Sequence, residues 1–321
     1  MSTPDPADEP DIPDPDDPEF DIELPDIPGP MDEPSRPRLR LPAGSCDAHA
    51  HIFGPAGRFP YSRTRDYTPH DVSRVRYASL LHHLGFQRAV LVQPSVYGTD
   101  NRCMLTALAA ANEDPLGITW RGIAVADHSV TDEELLTWHT LGVRGLRLNL
   151  LFRGADVDFE QISDLADRIS HLGWHLQILM DISSVEHFAD TLAELPVDVV
   201  FDHMGHFGAW LGVEHPSFRE LLALMQEGRC WVKLSGPKRI SAYPMPPFVD
   251  VVPIAYHLLA VAPNRVVFGT DWPHVRVGQF VPDDGMLVDE LRRWVDDDDE
   301  LWHQVLVDNP AELYGFGGST S

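Results

Sequence analysis

Three histidines and one aspartate stand out because their types and positions suit catalysis. His49 and His51 are separated by one residue, His203 follows Asp202 at the end of an apolar run, and Asp271 closes another such run. Imidazole and carboxylate groups can transfer protons, stabilise an oxyanion or together hold a zinc ion. These residues predict one functional site if the fold brings them together.

The elements that must position these residues follow from an alternation of apolar runs and amphipathic stretches. Eight runs have the length and composition of strands: Ser45–Phe53, Ala89–Ser95, Trp120–Asp127, Val143–Leu150, His175–Ile182, Val197–Met204, Cys230–Ser235 and Val266–Asp271. Four intervening stretches have helical patterns: Asp100–Asn112, Thr131–Leu141, Phe159–Leu172 and Pro216–Gln226. Eight such repeats predict an α/β fold, a closed (β/α)8 TIM barrel, more than an open doubly wound sheet. The first run lacks the glycine-rich phosphate motif that would favour the open sheet.

A barrel also predicts where the chemistry lies, because its sites form at the C-terminal ends of the strands. The first run ends in His49 and His51, and the period of two along a strand directs both rings to one face. The fourth run ends with Arg147, the sixth with His203 and the eighth with Asp271. The sequence therefore predicts a functional site at the barrel mouth.

The first 38 residues differ in composition from the rest of the chain. They contain 11 of the 28 prolines and 13 of the 50 acidic residues, with Arg36 and Arg38 as the only basic ones. Such a segment cannot bury enough apolar surface to fold. We therefore expect a disordered acidic tail over residues 1–38 and a single barrel domain over residues 39–321.

Charge and cysteine content exclude several classes of protein. The net charge of −26 repels phosphate backbones and anionic lipids, so we expect no nucleic-acid and no membrane partner. No signal peptide and no apolar run of roughly 18 residues is present, which favours a cytoplasmic protein. Three cysteines without a CxxC motif predict neither a disulfide framework nor a thiolate zinc site. The oligomeric state is left open.

The order of the motifs resembles the amidohydrolase superfamily, with HxH on the first strand, His after the sixth and Asp closing the eighth. Longer phrases resemble one branch of it, the 2-pyrone-4,6-dicarboxylate lactonases. These phrases are Asp47-Ala48-His49-Ala50-His51-Ile52-Phe53-Gly54-Pro55, Phe59-Pro60-Tyr61, Tyr67-Thr68-Pro69, Gln93-Pro94-Ser95, Gly98-Thr99-Asp100-Asn101, Asp202-His203-Met204-Gly205, Gly269-Thr270-Asp271-Trp272-Pro273-His274 and Pro282-Asp283-Asp284-Gly285. The resemblance extends from about Cys46 to Phe316 and implies a lactone-opening hydrolase in the catabolism of aromatic acids.

The resemblance also implies how a small carboxylated lactone is bound. Arg147, Arg153 and Arg239 match the substrate-binding arginines of the family, and Tyr67 and Ser95 match its hydroxyl contacts. Guanidinium groups suit this role because they bind carboxylates with two parallel hydrogen bonds.

Two departures from the family pattern bear on the substrate. His206 replaces an arginine, and His274-Val275-Arg276 replaces His-Pro-Asn. We keep His206 and His274 as substrate-binding candidates, although the charge of His206 depends on pH. A sugar lactone or a muconolactone-type substrate with one acid group fewer is therefore an alternative.

The residues that follow the fourth and fifth strands bear on whether the site binds a metal ion. A binuclear site needs an acidic bridge after the fourth strand, where the chain has Asn149, and a mononuclear site adds a histidine after the fifth, where it has Leu179-Met180-Asp181. His49, His51, His203 and Asp271 could still hold zinc, but the resemblance is to a lactonase type that works without metal. We therefore expect no cofactor.

We predict that Asp271 is the general base for water and that His49, His51 and His203 polarise the lactone carbonyl and stabilise the oxyanion. No Gly-x-Ser-x-Gly nucleophile elbow is present. A metal-dependent hydrolase or decarboxylase of the same superfamily is the enzymatic alternative. A barrel that binds an aromatic acid without catalysis is the alternative from another class.

Overall fold

The structure is a computed structural model that describes residues 27–111, 115–151 and 159–317. Its centre is a sheet of eight parallel strands in the order β1 to β8. The strands are β1 Cys46–Ala50, β2 Arg88–Val92, β3 Thr119–Ala124, β4 Val143–Asn149, β5 His175–Leu179, β6 Val199–Phe201, β7 Cys230–Leu234 and β8 Val266–Phe268. All eight predicted strands are confirmed.

The sheet is brought to closure where β1 meets the segment that follows β8. The His51 amide donates to the Trp272 carbonyl at 2.8 Å, and the Asp271 amide donates to the His49 carbonyl at 2.9 Å. These two bonds join residues at the C-terminal ends of the first and last strands. The predicted (β/α)8 TIM barrel is therefore confirmed, and its closure already places Asp271 beside His49.

Eleven α-helices occur in the described part of the chain. They are α1 Arg74–Leu84, α2 Arg102–Ala109, α3 Asp132–Leu141, α4 Phe159–Ser170, α5 Phe188–Ala193, α6 Pro216–Gln226, α7 Pro237–Ile240, α8 Val252–Val261, α9 Asp284–Trp294, α10 Asp299–His303 and α11 Asn309–Tyr314. Local sequence explains the ends of α3, where Thr131 and Glu134 form a capping box and Gly142 adopts the left-handed conformation. The four predicted helices match α2, α3, α4 and α6.

The strands are buried on both faces, as a covered parallel sheet requires. In β2, Val90 and Val92 belong to one apolar cluster with Ile123, Val200 and Trp231. The alternate residues, Ala89 and Leu91, belong to a larger cluster that includes the buried faces of the helices. Side chains therefore alternate between the barrel interior and the layer under the helices.

Residues 27–38, which the sequence assigns to the disordered tail, lie against the barrel. The Ser35 amide and hydroxyl donate to the Asp283 carboxylate at 2.9 and 2.8 Å. The Arg38 amide donates to Asp289 at 2.9 Å, and Arg76 forms an ion pair with Asp32. An extended segment needs no core of its own when a helix already present accepts its backbone hydrogen bonds. Residues 27–38 thus pack against the barrel and do not form a disordered tail, whereas the disorder expected for residues 1–26 lies outside the described residues.

This contact predicts different effects for two truncations. A chain that starts at Ile27 should keep the melting temperature of the full chain. A chain that starts at Leu39 loses the hydrogen bonds to Asp283 and Asp289, and should be destabilised by roughly 2 kcal/mol, or several degrees in melting temperature. Differential scanning calorimetry of the three chains measures this, and equal melting temperatures for the two truncations would show that residues 27–38 add no stability.

Two further expectations concern membrane association and cysteine pairing. None of the helices in the described ranges is long and apolar enough to span a membrane. Cys46, Cys103 and Cys230 are all buried and free.

Candidate active site

The four residues singled out from the sequence meet at the C-terminal end of the barrel. Nε2 of His49 lies 3.9 Å from Oδ1 of Asp271, and Nε2 of His203 lies 3.8 Å from the same oxygen. Nε2 of His51 is 3.3 Å from Nε2 of His49. All four side chains are buried. The fold therefore supplies the juxtaposition that the predicted chemistry needs.

The backbone at this site adopts an unusual conformation. His203 has φ 51° and Asp271 has φ 67°, both in the left-handed region, and His206 and His274 share it with φ 49° and 66°. Residues other than glycine seldom adopt this conformation, and those that do cluster at functional sites. The turns after β6 and β8 therefore direct side chains in a way that strand periodicity alone does not specify.

His51 and His203 are oriented by hydrogen bonds at Nδ1, the ring nitrogen that faces away from the reaction site. Nδ1 of His51 is 2.8 Å from the Val92 carbonyl, and Nδ1 of His203 is 2.8 Å from the Ser235 hydroxyl. Burial is the main cause that lowers the pKa of His49, His51 and His203 below the ordinary histidine value. The three rings are therefore neutral at pH 7 and act as directional hydrogen-bonding groups.

Asp271 is the acidic centre of the site. Burial by itself would raise its pKa, but the guanidinium of Arg239 beside it lowers the pKa well below the ordinary aspartate range. Oδ2 accepts a hydrogen bond from Nε of Arg239 at 2.8 Å. Oδ1 is buried and has no hydrogen-bond partner among the described residues. Asp271 is thus an ionised carboxylate with one oxygen directed at the two histidines and available to a reactant.

A second buried carboxylate, Asp202, lies beneath the histidines. Its Oδ2 accepts hydrogen bonds from Nε of Arg147 and Nε2 of Gln177, both at 3.0 Å, and its Oδ1 lies 3.6 Å from Nζ of Lys233. The sequence analysis missed Asp202, Gln177 and Lys233 as site residues. The signal was present, because amide and ammonium side chains within fully buried strands are rare unless they are paired.

A pocket lies above these groups at the barrel mouth, with about 350 Å³ of empty space when its opening to solvent is included. The described residues that line it are His51, Tyr67, Pro94, Ser95, Arg147, Asn149, Leu179, His203, Arg239, Val275 and Arg276. Four predicted substrate-binding residues are among them: Tyr67, Ser95, Arg147 and Arg239. Burial raises the pKa of Tyr67, which is hydrogen-bonded to Ser95, so its hydroxyl stays protonated and can donate.

The other predicted substrate-binding residues have different positions. Arg153 lies outside the described residues. His206 is adjacent to the site, with its ring centroid 6.5 Å from that of His203, and burial lowers its pKa to about 4. It is therefore neutral at pH 7. His274 is buried against Asp284, with Nε2 2.9 Å from Oδ1, and does not belong to the described pocket lining.

Arg276 is a pocket residue that the sequence analysis did not assign. It lines the pocket and forms an ion pair with Asp66 at the rim. Its only sequence signal was the departure from the family pattern after β8. The pocket therefore has a guanidinium group at position 276, although position 206 has a histidine where the family has an arginine.

A metal ion can be tested against the donor set. His49, His203 and Asp271 each offer one ligand atom, and these atoms lie within 4.8 Å of one another. His51 is not part of this group. Asn149 and Leu179, at the ends of β4 and β5, line the pocket and supply neither an acidic bridge nor an imidazole. The geometry accommodates a three-ligand site without the additional ligands of the usual amidohydrolase centres.

The surrounding charge argues against a divalent ion. Burial lowers the pKa of Lys233 only to about 8, so Lys233, Arg147 and Arg239 are cations at pH 7. They face two carboxylates, Asp202 and Asp271. With neutral histidines the group carries a net charge of +1, and a divalent ion would increase it in a poorly solvated site. The site is better matched to an anionic ligand.

Comparison with known proteins agrees with this fold and shows the family. The sequence pattern of the amidohydrolase family matches residues 46–316, and the chain belongs to this family. It is 39% identical over 290 residues to 2-pyrone-4,6-dicarboxylate hydrolase of Comamonas testosteroni, covering 88% of this chain and 93% of that protein. It is 34% identical over 299 residues to 4-sulfomuconolactone hydrolase of Rhizobium radiobacter, covering 91% and 97%. An apo crystal structure from Agrobacterium tumefaciens superposes with a TM-score of 0.78 at 25% identity, covering 88% and 99%.

Proposed function

We propose that the protein is a hydrolase that opens a carboxylated lactone, with 2-pyrone-4,6-dicarboxylate as the first candidate. One observation carries this proposal: Oδ1 of buried Asp271, which has no hydrogen-bond partner in the described part of the chain, faces the Nε2 atoms of His49 and His203 beneath a pocket lined by arginines. A site that only binds an aromatic acid needs the arginines but not this acid–base set. The Comamonas relative, whose name states the same reaction, supports the choice of substrate.

In this mechanism Asp271 is the general base. Its ionised Oδ1 accepts a proton from a water molecule, which attacks the lactone carbonyl carbon. N–H groups of His49 and His203, the two histidines that face Oδ1 of Asp271, stabilise the oxyanion that forms. When the ring C–O bond breaks, Asp271 returns the proton to the departing enol oxygen, so no covalent enzyme intermediate is needed.

The arginines bind the carboxylate groups of the substrate. Arg147 and Arg239 each use Nε for a buried carboxylate, Asp202 and Asp271 respectively. Both guanidinium groups also line the pocket, where they can bind a substrate carboxylate. A carboxylate that attracts Arg239 weakens its hold on Asp271, which increases the proton affinity of the base when substrate is present.

The direct test is an ultraviolet assay that follows the loss of the pyrone absorbance with 2-pyrone-4,6-dicarboxylate. We expect turnover by purified protein and none by heat-denatured protein. The same assay with a muconolactone, 4-sulfomuconolactone and a sugar lactone tests the second candidate, which is a muconolactone-type or sugar-lactone substrate. The relative from Rhizobium radiobacter favours that candidate. The ratio of kcat/KM values across the panel assigns the substrate, and no turnover of any lactone would refute the proposal.

We also propose that the reaction needs no metal, because the buried charges favour an anion over a divalent ion. Protein treated with a chelator and dialysed should keep its kcat within about twofold, and elemental analysis should find well under one metal ion per chain. Metal at one per chain, with activity lost on chelation and restored by zinc, would assign His49, His203 and Asp271 to a metal site instead.

We further infer that the protein acts in the cytoplasm on a small molecule. The three unpaired cysteines suit a reducing compartment.

A further inference from the structure

Lys233 is a buried lysine in a chain that almost lacks lysine. Of the 24 basic residues only Lys233 and Lys238 are lysines. Lys233 lies on β7, and its side chain is fully buried. Nζ donates to the Gln177 amide oxygen at 2.6 Å and to the Ala48 carbonyl at 3.0 Å, and it lies 3.3 Å from Nδ1 of His49. Two of its three protons are thus used by oxygen acceptors, which leaves the third for His49 or Asp202.

The positions of the protons on the two neighbouring histidines follow from their partners. A carbonyl oxygen can only accept, so Nδ1 of His51 carries the proton that Val92 binds at 2.8 Å. In the neutral ring Nε2 of His51 is then an acceptor. Its neighbour at 3.3 Å, Nε2 of His49, has to be the donor. Neutral His49 therefore carries its proton on Nε2, and its Nδ1 accepts a hydrogen bond.

Two groups compete for Nδ1 of His49. Asp202 has Oδ1 at 3.1 Å, and as an acceptor it would place the histidine proton on Nδ1. Its position beside the ring raises the pKa of His49, but by hydrogen-bond geometry that oxygen has no partner among the described residues. Lys233 is a donor at 3.3 Å and requires the opposite tautomer. Arg147 and Gln177 hold the other oxygen of Asp202.

We propose that Lys233 is a positioning residue that donates to Nδ1 of His49 and keeps the His49 proton on Nε2, where His51 accepts it in the free protein and the oxyanion can accept it during the reaction. This inference rests on the proposed hydrolysis without metal, because a metal ion on Nε2 would require the proton on Nδ1. Lysine suits the position because a compact ammonium reaches three acceptors with one atom. Its role is exerted through His49 and not through contact with the substrate.

Nitrogen-15 NMR of protein labelled at histidine tests the proposal in the unmodified chain. The His49 signals are assigned by their loss in His49→Gln. We expect a protonated, pyrrole-type Nε2 and an unprotonated, pyridine-type Nδ1 at pH 7. Protonated Nδ1 in metal-free protein would overturn the proposal, whereas protonated Nδ1 in protein with one metal per chain would overturn the metal-free function on which it rests.

Lys233→Met provides the second test, because methionine keeps an unbranched chain of similar length and removes the donor. We expect the His49 proton to move to Nδ1, where Asp202 can accept it. We expect kcat to fall roughly 100-fold, as for the loss of one oxyanion donor, with KM changed by less than about twofold. A purely structural role would instead lower the melting temperature and leave the tautomer unchanged.

Lys238→Met is the matched control, because Lys238 is the other lysine and donates to the Pro244 and Phe280 carbonyls. It should change neither the tautomer nor kcat. Unchanged kcat in folded Lys233→Met would overturn the proposal even if the wild-type spectrum shows the expected tautomer. If Lys233→Met does not fold, the nitrogen-15 spectrum of the wild-type protein tests the proposal through the tautomer of His49. Activity of the unmodified protein on the lactone panel reports separately on the proposed function.

Discussion

Asp271→Asn should lower kcat at least about 100-fold and leave KM within about threefold, since general base catalysis contributes roughly 10²–10⁴-fold. The amide keeps the size of the side chain and the oxygen that Arg239 can bind, but it cannot accept a proton from water. Steady-state kinetics with 2-pyrone-4,6-dicarboxylate, or with the best lactone of the panel, measures the effect. The expected loss is thus in turnover and not in binding.

Asp198→Asn is a suitable control, because Asp198 precedes β6 at the opposite end of the barrel and bonds to Trp231. It should keep kcat within about twofold. Wild-type turnover in Asp271→Asn would show that another group is the base. The next residue to test would then be Asp202, a buried carboxylate whose Oδ1 lies 3.1 Å from Nδ1 of His49.

Arg239→Met should have the second-largest effect, because this guanidinium lines the pocket and also binds Asp271. Loss of a charge-assisted bond of roughly 1.5–3 kcal/mol should raise KM for a dicarboxylate lactone about ten- to a hundredfold. An uncharged lactone should lose much less, because no substrate carboxylate is left unpaired. Kinetics on a charged and a neutral lactone distinguish the two cases.

The same variant should change the dependence on pH. In the wild-type protein Arg239 is the first cause that lowers the pKa of Asp271, so the base stays ionised and kcat/KM should not fall between pH 7 and about pH 5. Without Arg239 the pKa of Asp271 rises, since burial favours the protonated form. The protonated base is inactive, so kcat/KM of Arg239→Met should decline as the pH is lowered over this range.

Arg144→Met is the matched control, since Arg144 lies at the start of β4 and donates to the His139 and Val143 carbonyls. It should change neither KM nor the pH profile. Equal losses on charged and neutral lactones in Arg239→Met would mean that Arg239 holds the pocket together without binding substrate. The assignment of a dicarboxylate would then be wrong.

The sequence alone determined the architecture and the approximate site. Strands buried on both faces are apolar throughout, so their runs are visible without knowledge of their neighbours. The mouth residues could be identified because a parallel barrel places the C-terminal ends of all strands on one side. His49 and His51 were found in this way at the end of the first strand, His203 at the end of the sixth and Asp271 at the end of the eighth.

The tertiary structure alone decided which groups pair. Asp202 meets Arg147 and Lys233 meets His49 across the barrel, and neither pairing has a periodic signal because the partners lie on different strands. Arg276 lines the pocket because its backbone adopts the left-handed conformation, with φ 59°, and strand alternation does not predict such a turn. Residues 27–38 have the composition of a disordered tail, and they are held by carboxylates about 250 residues away, as in the bond from Ser35 to Asp283. Local composition and spacing report what a segment can bury, whereas hydrogen bonds between distant segments depend on how the whole chain closes.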